Sequence, residues 1–306
     1  MIQGQITYNF VKSIKVADCI VEIRTNSISI NNYITANYMI CEEKALCRVN
    51  IIKCITLNDL FKLVKCNFNL SVDFCDKVTE NFECRRIENS FLIRIVKNNE
   101  KYILFYNDVQ NDIIEFVYSV LEFAVLSFIP EKYLILHSSM VEINGSAILF
   151  SGKSGSGKTT MALLTANTGA KFIENEHVII DLNEHCVLYK TSCDIRVKNN
   201  TVNTMGNIID YNNLCTSDWS NSFRSINIVF LHFGTKKIKK LGLVDSINNI
   251  LCNAIITKKF KYKETINSLI YFISLKTTNV FEVCIEEDNF ESSLQMINKI
   301  IGEIKK

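Results

Sequence analysis

Residues 152–159 read Gly152-Lys153-Ser154-Gly155-Ser156-Gly157-Lys158-Thr159, a full match to the pattern Gly-x-x-x-x-Gly-Lys-[Ser/Thr] of phosphate-binding loops. The three glycines can adopt positive φ angles, so that consecutive backbone N–H groups point inward at a β-phosphate. Lys158 would place its charge beside the β- and γ-phosphates, and the Thr159 hydroxyl is a ligand for Mg²⁺. A chance glycine-rich turn is the alternative, but the chain has only ten glycines and three lie here. The stretch therefore predicts a nucleotide site formed by residues 152–159 together with Thr160.

Two strand-like runs lead into this loop, at 134–143 and 146–151. Asn144-Gly145 separates them and is the strongest short-range signal for a tight hairpin. The strand before the loop would then have an antiparallel neighbour, whereas in GTPase-type and Rossmann-type folds such neighbours arrive through helical crossovers and lie parallel. A helix at 159–168, ended by Gly169, follows the loop. These elements predict an α/β domain that differs from the GTPase-type and Rossmann-type folds.

The chain beyond this helix continues the alternation of strands and helices. A strand at 171–173 precedes a second hairpin, formed by 177–182 and 187–191. Hydrophobic periodicity predicts further strands at 194–197, 227–233 and 280–285, and amphipathic helices at 242–256 and 290–304.

The first third of the chain has a different character, because short strand-like runs dominate it and only one glycine, Gly4, precedes Gly145. We find no group of candidate catalytic residues there. The pattern predicts that residues 1–108 form a β-rich (α+β) accessory or recognition domain with one short helix at 57–64. A helix that begins at Asn111 or Asp112 and ends before Pro130 opens the second domain, 109–306. The strands predicted in the first domain are 5–8, 19–24, 27–30, 38–41, 45–52, 90–96 and 102–106.

Composition excludes several classes of partner and site. A net charge of +2 and a pI near 7.9 argue against nucleic acid or an anionic membrane as a partner. The longest apolar stretch, 113–129, is short for a bilayer and contains Glu115 and Glu122, so a buried helix is the better interpretation. The twelve cysteines show no zinc-ligand spacing, and the N-terminus has no signal-peptide pattern. We expect reduced, mostly buried cysteines in a cytoplasmic protein.

Residues 134–182 resemble a known family. The segments Leu136-His137-Ser138-Ser139-Met140-Val141, Ile148 through Thr160 and Gly169-Ala170-Lys171 are similar to the C-terminal domain of HPr kinase/phosphorylase. They look closer still to HPr-kinase-like serine kinases, including those that tailor lasso peptides. The resemblance implies a P-loop kinase domain of the HPr kinase/phosphoenolpyruvate carboxykinase type. It also implies ATP and Mg²⁺ as cofactors and a peptide or small-protein acceptor phosphorylated on serine, with a homo-oligomer left open.

The acidic pair of that family differs in this chain. Family members usually have Asp-Asp where this sequence has Asn175-Glu176. Glu176 could act as the base or as a ligand of Mg²⁺, with Asn175 binding the metal or a phosphate oxygen, and Glu174 could contribute from one position earlier. The alternative is that Glu174 and Glu176 are solvated loop acids. The protein would then bind ATP without transferring phosphate.

Two further residues are candidates for catalysis. His137 matches the family's histidine on the strand before the loop and suits a proton-handling role, although a structural histidine is an equal alternative. We expect Arg196 to stabilise the negative charge of the transition state. The alternative is that Arg196 forms a surface ion pair. His177 has no counterpart in the family. The sequence therefore leaves three candidate functions: a serine kinase, a nucleotide-binding regulatory module and a small-molecule kinase.

Overall fold

The chain forms two compact units, Met1–Ile129 and Pro130–Lys306. The computed structural model describes residues 6–68, 70, 79, 81–87, 90–98, 100–107, 114–184, 186–192, 220–255, 262–286 and 290–304. Both units are mixed α/β, and each has its own sheet. The division falls after Ile129, whereas the sequence placed it after residue 108, because the intervening helix packs on the sheet of the first unit.

The first unit has a seven-stranded sheet of order β3-β1-β2-β4-β7-β6-β5. Alternating burial along β2 places one side of that strand in the core, whereas the first four residues of β6 are all buried. The strands are β1 (Phe10–Val16), β2 (Cys19–Thr25), β3 (Met39–Cys41), β4 (Cys47–Cys54), β5 (Phe82–Ile87), β6 (Ser90–Lys97) and β7 (Glu100–Tyr106), and the helices are α1 (Ile28–Asn37), α2 (Leu57–Phe68) and α3 (Ile114–Leu126).

The predicted strand at 27–30 is wrong, because this segment starts α1. The Ser27 hydroxyl caps the helix by accepting a hydrogen bond from the backbone N–H of Ile30, at 3.5 Å. Ile30, Tyr33 and Ile34 then lie on one buried face, at the spacing of a helix. The alternation of isoleucine with serine at 27–30 imitates a strand over four residues, and only the longer period shows the helix.

The helix α3 is the buried helix that the apolar stretch 113–129 predicts. Val117, Leu121 and Val125 are fully or almost fully buried, and α3 contacts β4 and β7. No helix among the described residues has both the length and the apolar character needed to span a membrane. The predicted start of α3 at Asn111 or Asp112 lies outside the described residues.

A network of charges lies on one face of the first sheet. The carboxylate of Glu22 accepts hydrogen bonds from the Nε atoms of Arg24 and Arg48, both at 2.7 Å. Arg48 also pairs with Glu100, which accepts hydrogen bonds from Asn50 at 3.0 Å and from the Tyr102 hydroxyl at 2.8 Å. Partial burial alone would raise the pKa of Glu100, but these hydrogen bonds and the charge of Arg48 outweigh it, so the pKa is lowered.

The network predicts acid sensitivity of the first unit. A carboxyl group whose pKa is lowered on folding stabilises the folded state above its ordinary pKa of 4.5. This stabilisation is lost as the pH falls through the lowered value. We expect the melting temperature to fall below about pH 4.5, and Glu100→Gln to make that fall shallower. Thermal unfolding between neutral and acidic pH measures it. Glu115→Gln, at an exposed position on α3, is the control, and equal pH profiles for the two variants would contradict the prediction.

The second unit contains a nine-stranded sheet with helices on both faces. Its main strand order is β13-β12-β11-β8-β9-β14-β16-β15, and β10 also pairs with β8. The strands are β8 (Tyr133–Ile143), β9 (Ser146–Ser151), β10 (Lys171–Glu174), β11 (His177–Asp181), β12 (Val187–Lys190), β13 (Ser220–Ser222), β14 (Ser225–Phe233), β15 (Lys237–Lys240) and β16 (Thr278–Ile285), and the helices are α4 (Lys158–Asn167), α5 (Leu243–Asn253), α6 (Tyr262–Ser274) and α7 (Phe290–Ile304).

The predicted hairpin before the glycine-rich loop is confirmed. The strands β8 and β9 pair antiparallel, and they turn at Asn144 and Gly145, whose φ angles are 51° and 76°. On its other side β9 pairs parallel with β14, which in turn pairs parallel with β16. The carboxyl ends of β9, β14 and β16 therefore lie at one edge of the sheet, where the loop begins.

Two apolar clusters hold this sheet between its helices. One face packs on α5 and α6 through Ile250, Leu269 and Phe272, and the other packs on α4 and α7 through residues such as Met161 and Ile297. Each large side chain that is fully buried contributes roughly 1.5–3 kcal/mol to folding. The helix α4 is thereby anchored against the sheet, so the loop joining it to β9 is held at both ends.

Candidate active site

The glycine-rich loop connects the end of β9 to the start of α4. Its glycines Gly152, Gly155 and Gly157 have φ angles of 141°, 85° and 87°, as the motif predicts. A Cβ atom on Gly152 would lie 2.8 Å from the backbone oxygen of Leu231 and 2.8 Å from the Ser156 hydroxyl. Glycine is therefore required at position 152, because the loop passes against the backbone of β14.

The loop contains polar groups that suit an anionic ligand. The hydroxyl of Ser156 is buried and has no hydrogen-bond partner among the described residues. Gly157 is the N-cap of α4, and no side chain caps the helix there. The first-turn N–H groups and the positive end of the helix dipole are thus directed at the loop, an arrangement that favours phosphate. Lys153, Ser154 and Gly155 are exposed at the tip of the loop.

Lys158 and the two threonines after it begin α4. The Lys158 side chain is only 7% exposed, and its ammonium group donates hydrogen bonds to the backbone oxygens of Gly152, at 3.0 Å, and Lys153, at 3.1 Å. Thr159 and Thr160 are half-buried on the first turn. The buried cation is therefore held within the loop, where a bound phosphate could replace the carbonyl oxygens as its partner.

The acidic segment lies between β10 and β11, which pair in succession with the same edge of β8. Glu174 is opposite Met140 and His177 is opposite His137, so Asn175 and Glu176 span the interval between the two pairings. The backbone N–H of Ser138 donates to the carbonyl oxygen of Glu176, at 3.1 Å. The register of β8 therefore determines where these two residues lie.

Glu174 anchors this segment. Its side chain is 2% exposed, and its carboxylate accepts hydrogen bonds from the backbone N–H groups of Asn175, at 2.8 Å, Glu176, at 3.3 Å, and Thr191, at 2.8 Å. It is not a solvated loop acid. These bonds are used to shape the turn that carries Glu176, so Glu174 acts as a positioning residue.

Asn175 is also buried, at 2% exposure. The hydroxyl of Ser139 contacts both the backbone oxygen and the amide oxygen of Asn175, at 2.8 Å and 3.2 Å. Glu176, by contrast, is half-buried. Of the three residues in the segment, Glu176 is the one whose carboxylate remains accessible to a ligand.

Glu176 lies beside two histidines. The Nδ1 atom of His137 is 2.9 Å from the backbone oxygen of Glu176 and 3.7 Å from its Oε2 atom. His177 follows in the chain and faces His137 across the β8–β11 pair, with ring centroids 5.5 Å apart. The sequence did not assign His177 a role, and the signal that could have found it is the register of β11 against β8.

The histidine–glutamate cluster is adjacent to the base of the loop. Ser138 pairs with Ser151 in the β8–β9 register, and the Ser151 hydroxyl donates to the backbone oxygen of His137 at 2.9 Å. Ser151 immediately precedes Gly152. The structure thus brings His137, Asn175 and Glu176 close to the start of the loop, whereas Arg196 lies outside the described residues.

Comparison with known proteins finds distant similarity among solved structures. No protein-family model matches the chain, and no curated protein matches it. Among solved structures, the HPr(Ser) kinase/phosphatase from Coxiella burnetii is similar over 55% of this chain and 95% of its own. The sequence identity is 7% and the TM-score is 0.29. The relation is distant in sequence and in fold alike.

Proposed function

We propose that the chain is an ATP-dependent kinase that transfers a phosphoryl group to a serine, or another hydroxyl, of a peptide or small protein. The observation that carries this proposal is the position of Glu176 and His137 at the base of a loop with three positive-φ glycines and a buried lysine. Such chemistry needs a phosphate cradle, a metal and a carboxylate that orients the hydroxyl. The resemblance of residues 134–182 supports a role in peptide tailoring.

The loop residues would hold the nucleotide. Bound ATP would supply the γ-phosphoryl group and leave as ADP, and Mg²⁺ would neutralise the charge of the phosphates. Lys158 exchanges its two carbonyl partners for phosphate oxygens, and the buried Ser156 hydroxyl is a second donor. The Thr159 hydroxyl and the Glu176 carboxylate are the proposed ligands of Mg²⁺. The packing of Gly152 against Leu231 keeps the loop backbone close to the sheet edge.

Glu176 would act on the acceptor. Its backbone is held by Ser138 and by the Glu174 carboxylate, so its side chain starts from a defined position. In this proposal the carboxylate accepts the proton of the acceptor hydroxyl, and His137 orients it from 3.7 Å away. We assign recognition of the acceptor to the N-terminal unit.

A nucleotide-binding regulatory module with little transfer activity is the second candidate. The observation that favours it is the burial of Asn175, whose amide oxygen contacts Ser139. With Glu174 also engaged by backbone N–H groups, Glu176 is the one accessible carboxylate of the segment. A site with a single carboxylate has less capacity to hold a metal and to activate a hydroxyl together.

The variant Glu176→Gln separates these two functions. Without the carboxylate we expect phosphoryl transfer to fall about 100-fold, the lower end of general-base effects, while ATP affinity changes only a few-fold. The assay incubates the full chain with ATP, Mg²⁺ and a pool of synthetic serine peptides. Mass spectrometry measures the phosphopeptides and calorimetry measures ATP affinity.

The control is Glu184→Gln, which removes an exposed carboxylate from the turn after β11. It should keep the activity of the wild type. Phosphopeptide yield that is undiminished in Glu176→Gln would refute the assigned role. ATP binding by the wild type with no phosphopeptide and only slow hydrolysis would favour the regulatory module.

A further inference from the structure

His137, Glu176 and His177 form a group with the composition of a metal centre. One potential ligand atom from each side chain lies within 4.8 Å of those of the other two. No other group of three histidine, cysteine, aspartate or glutamate side chains in the described part of the chain meets this criterion. We propose that, in the absence of nucleotide, these three residues bind a divalent transition metal, represented by Zn²⁺, and that Glu176 is a ligand shared with the proposed Mg²⁺ site.

The sheet register brings the two imidazoles together. His137 on β8 and His177 on β11 are directly opposite, and their rings are tilted by 46° with centroids 5.5 Å apart. Directly opposed residues of an antiparallel pair project from the same face. His177 is 5% exposed, so its ring is already held by its surroundings. Two of the three ligands are thus positioned by backbone pairing.

The hydrogen bond of His137 indicates which ring nitrogen can bind a metal. A backbone carbonyl oxygen only accepts hydrogen bonds, so the 2.9 Å contact with Glu176 requires the proton to be on Nδ1 of His137. In the neutral ring the lone pair is then on Nε2. Metal-binding histidines typically donate their other N–H to a carbonyl or carboxylate in this way, which fixes the tautomer and the ring orientation.

The distances require only a small closure. Zn²⁺ ligands at about 2.0–2.2 Å from the metal in a tetrahedral site are about 3.4 Å from one another. The ligand atoms of the three side chains, which lie within 4.8 Å of one another, must therefore approach by up to about 1.4 Å. Glu176 is half-buried and has rotatable side-chain bonds, so its carboxylate can make that movement.

The ligand chemistry selects the metal. Two imidazoles and one carboxylate are the protein ligands of several catalytic zinc sites, which leave the fourth position open. Mg²⁺ prefers oxygen ligands in octahedral geometry and keeps several of its waters. The cluster should therefore bind Zn²⁺ in preference to Mg²⁺, and the loop residues should retain the role proposed for them with Mg²⁺.

Zn²⁺ titration of the full-length chain tests the proposal. The protein is first stripped with a chelator and then titrated by calorimetry without nucleotide, in excess Mg²⁺. We expect one Zn²⁺ per chain. His137→Gln, His177→Gln and Glu176→Gln should each weaken binding by at least about 100-fold, beyond the usual 10- to 100-fold effect of outer partners. Co²⁺ in place of Zn²⁺ should give the visible absorption of a tetrahedral or five-coordinate site.

His232→Gln is the matched control. His232 lies on β14, outside the cluster, with Nε2 3.5 Å from Glu282, and its loss should leave Zn²⁺ affinity unchanged. Melting temperatures check that each variant is folded. If His177→Gln unfolds, the variants at the half-buried His137 and Glu176 still test the site. No stoichiometric Zn²⁺ binding, or equal weakening in the cluster variants and His232→Gln, would overturn the proposal. Because nucleotide is omitted, that failure leaves the kinase proposal standing.

Discussion

Gly152→Ala is expected to weaken ATP binding by more than about 100-fold and to destabilise the second unit by about 3 kcal/mol. The added Cβ would lie 2.8 Å from the backbone oxygen of Leu231, and a strand in the middle of the sheet cannot move away as a flexible side chain could. The loop must shift instead. Its N–H groups would then no longer converge on a phosphate. The φ of 141° adds strain for any residue with a side chain.

Gly155→Ala is the matched control in the same loop. Gly155 also has a positive φ, 85°, but a Cβ there would have no atom within 4 Å. It therefore shares the backbone strain and lacks the clash. Calorimetric ATP titration and thermal unfolding of both variants measure the difference. If Gly152→Ala binds ATP with an affinity within a few-fold of that of Gly155→Ala, ATP binding does not depend on the close packing of the loop against β14.

Glu174→Ala is expected to cost about 3–5 kcal/mol of stability and to reduce phosphoryl transfer as well. The buried carboxylate accepts backbone N–H groups from Asn175, Glu176 and Thr191. Each donor left buried without an acceptor costs roughly 1–3 kcal/mol. The turn that carries Glu176 would also lose the contacts that define its shape.

Glu174→Gln is the informative comparison for that substitution. The amide keeps one oxygen that can accept, so part of the network survives and the loss should be about half as large. Differential scanning calorimetry suits a chain with two compact units, because separate transitions can be resolved. Equal melting temperatures for Glu174→Ala, Glu174→Gln and the wild type would contradict an anchoring role for this carboxylate.

Local signals predicted the elements around the loop well. The hairpin at Asn144-Gly145 and the helix stop at Gly169, whose φ is 99°, both depend on a few adjacent residues. Such features are predictable because glycine and asparagine tolerate positive φ, and the motif places them at fixed offsets. The strand predicted at 27–30 failed for the complementary reason, since four residues do not reveal the period of α1.

The sequence alone determined that a glycine-rich loop lies between a hairpin strand and a helix, because backbone torsion preferences act over a few residues. Only the tertiary structure decided how the neighbouring polar residues divide their roles. Glu174 and Glu176 are the same residue type. The buried Glu174 carboxylate accepts hydrogen bonds from backbone N–H groups, whereas the Glu176 carboxylate lies beside His137. The pairing of His177 with His137 likewise depends on a strand register set by residues far apart in the chain, which no local pattern specifies.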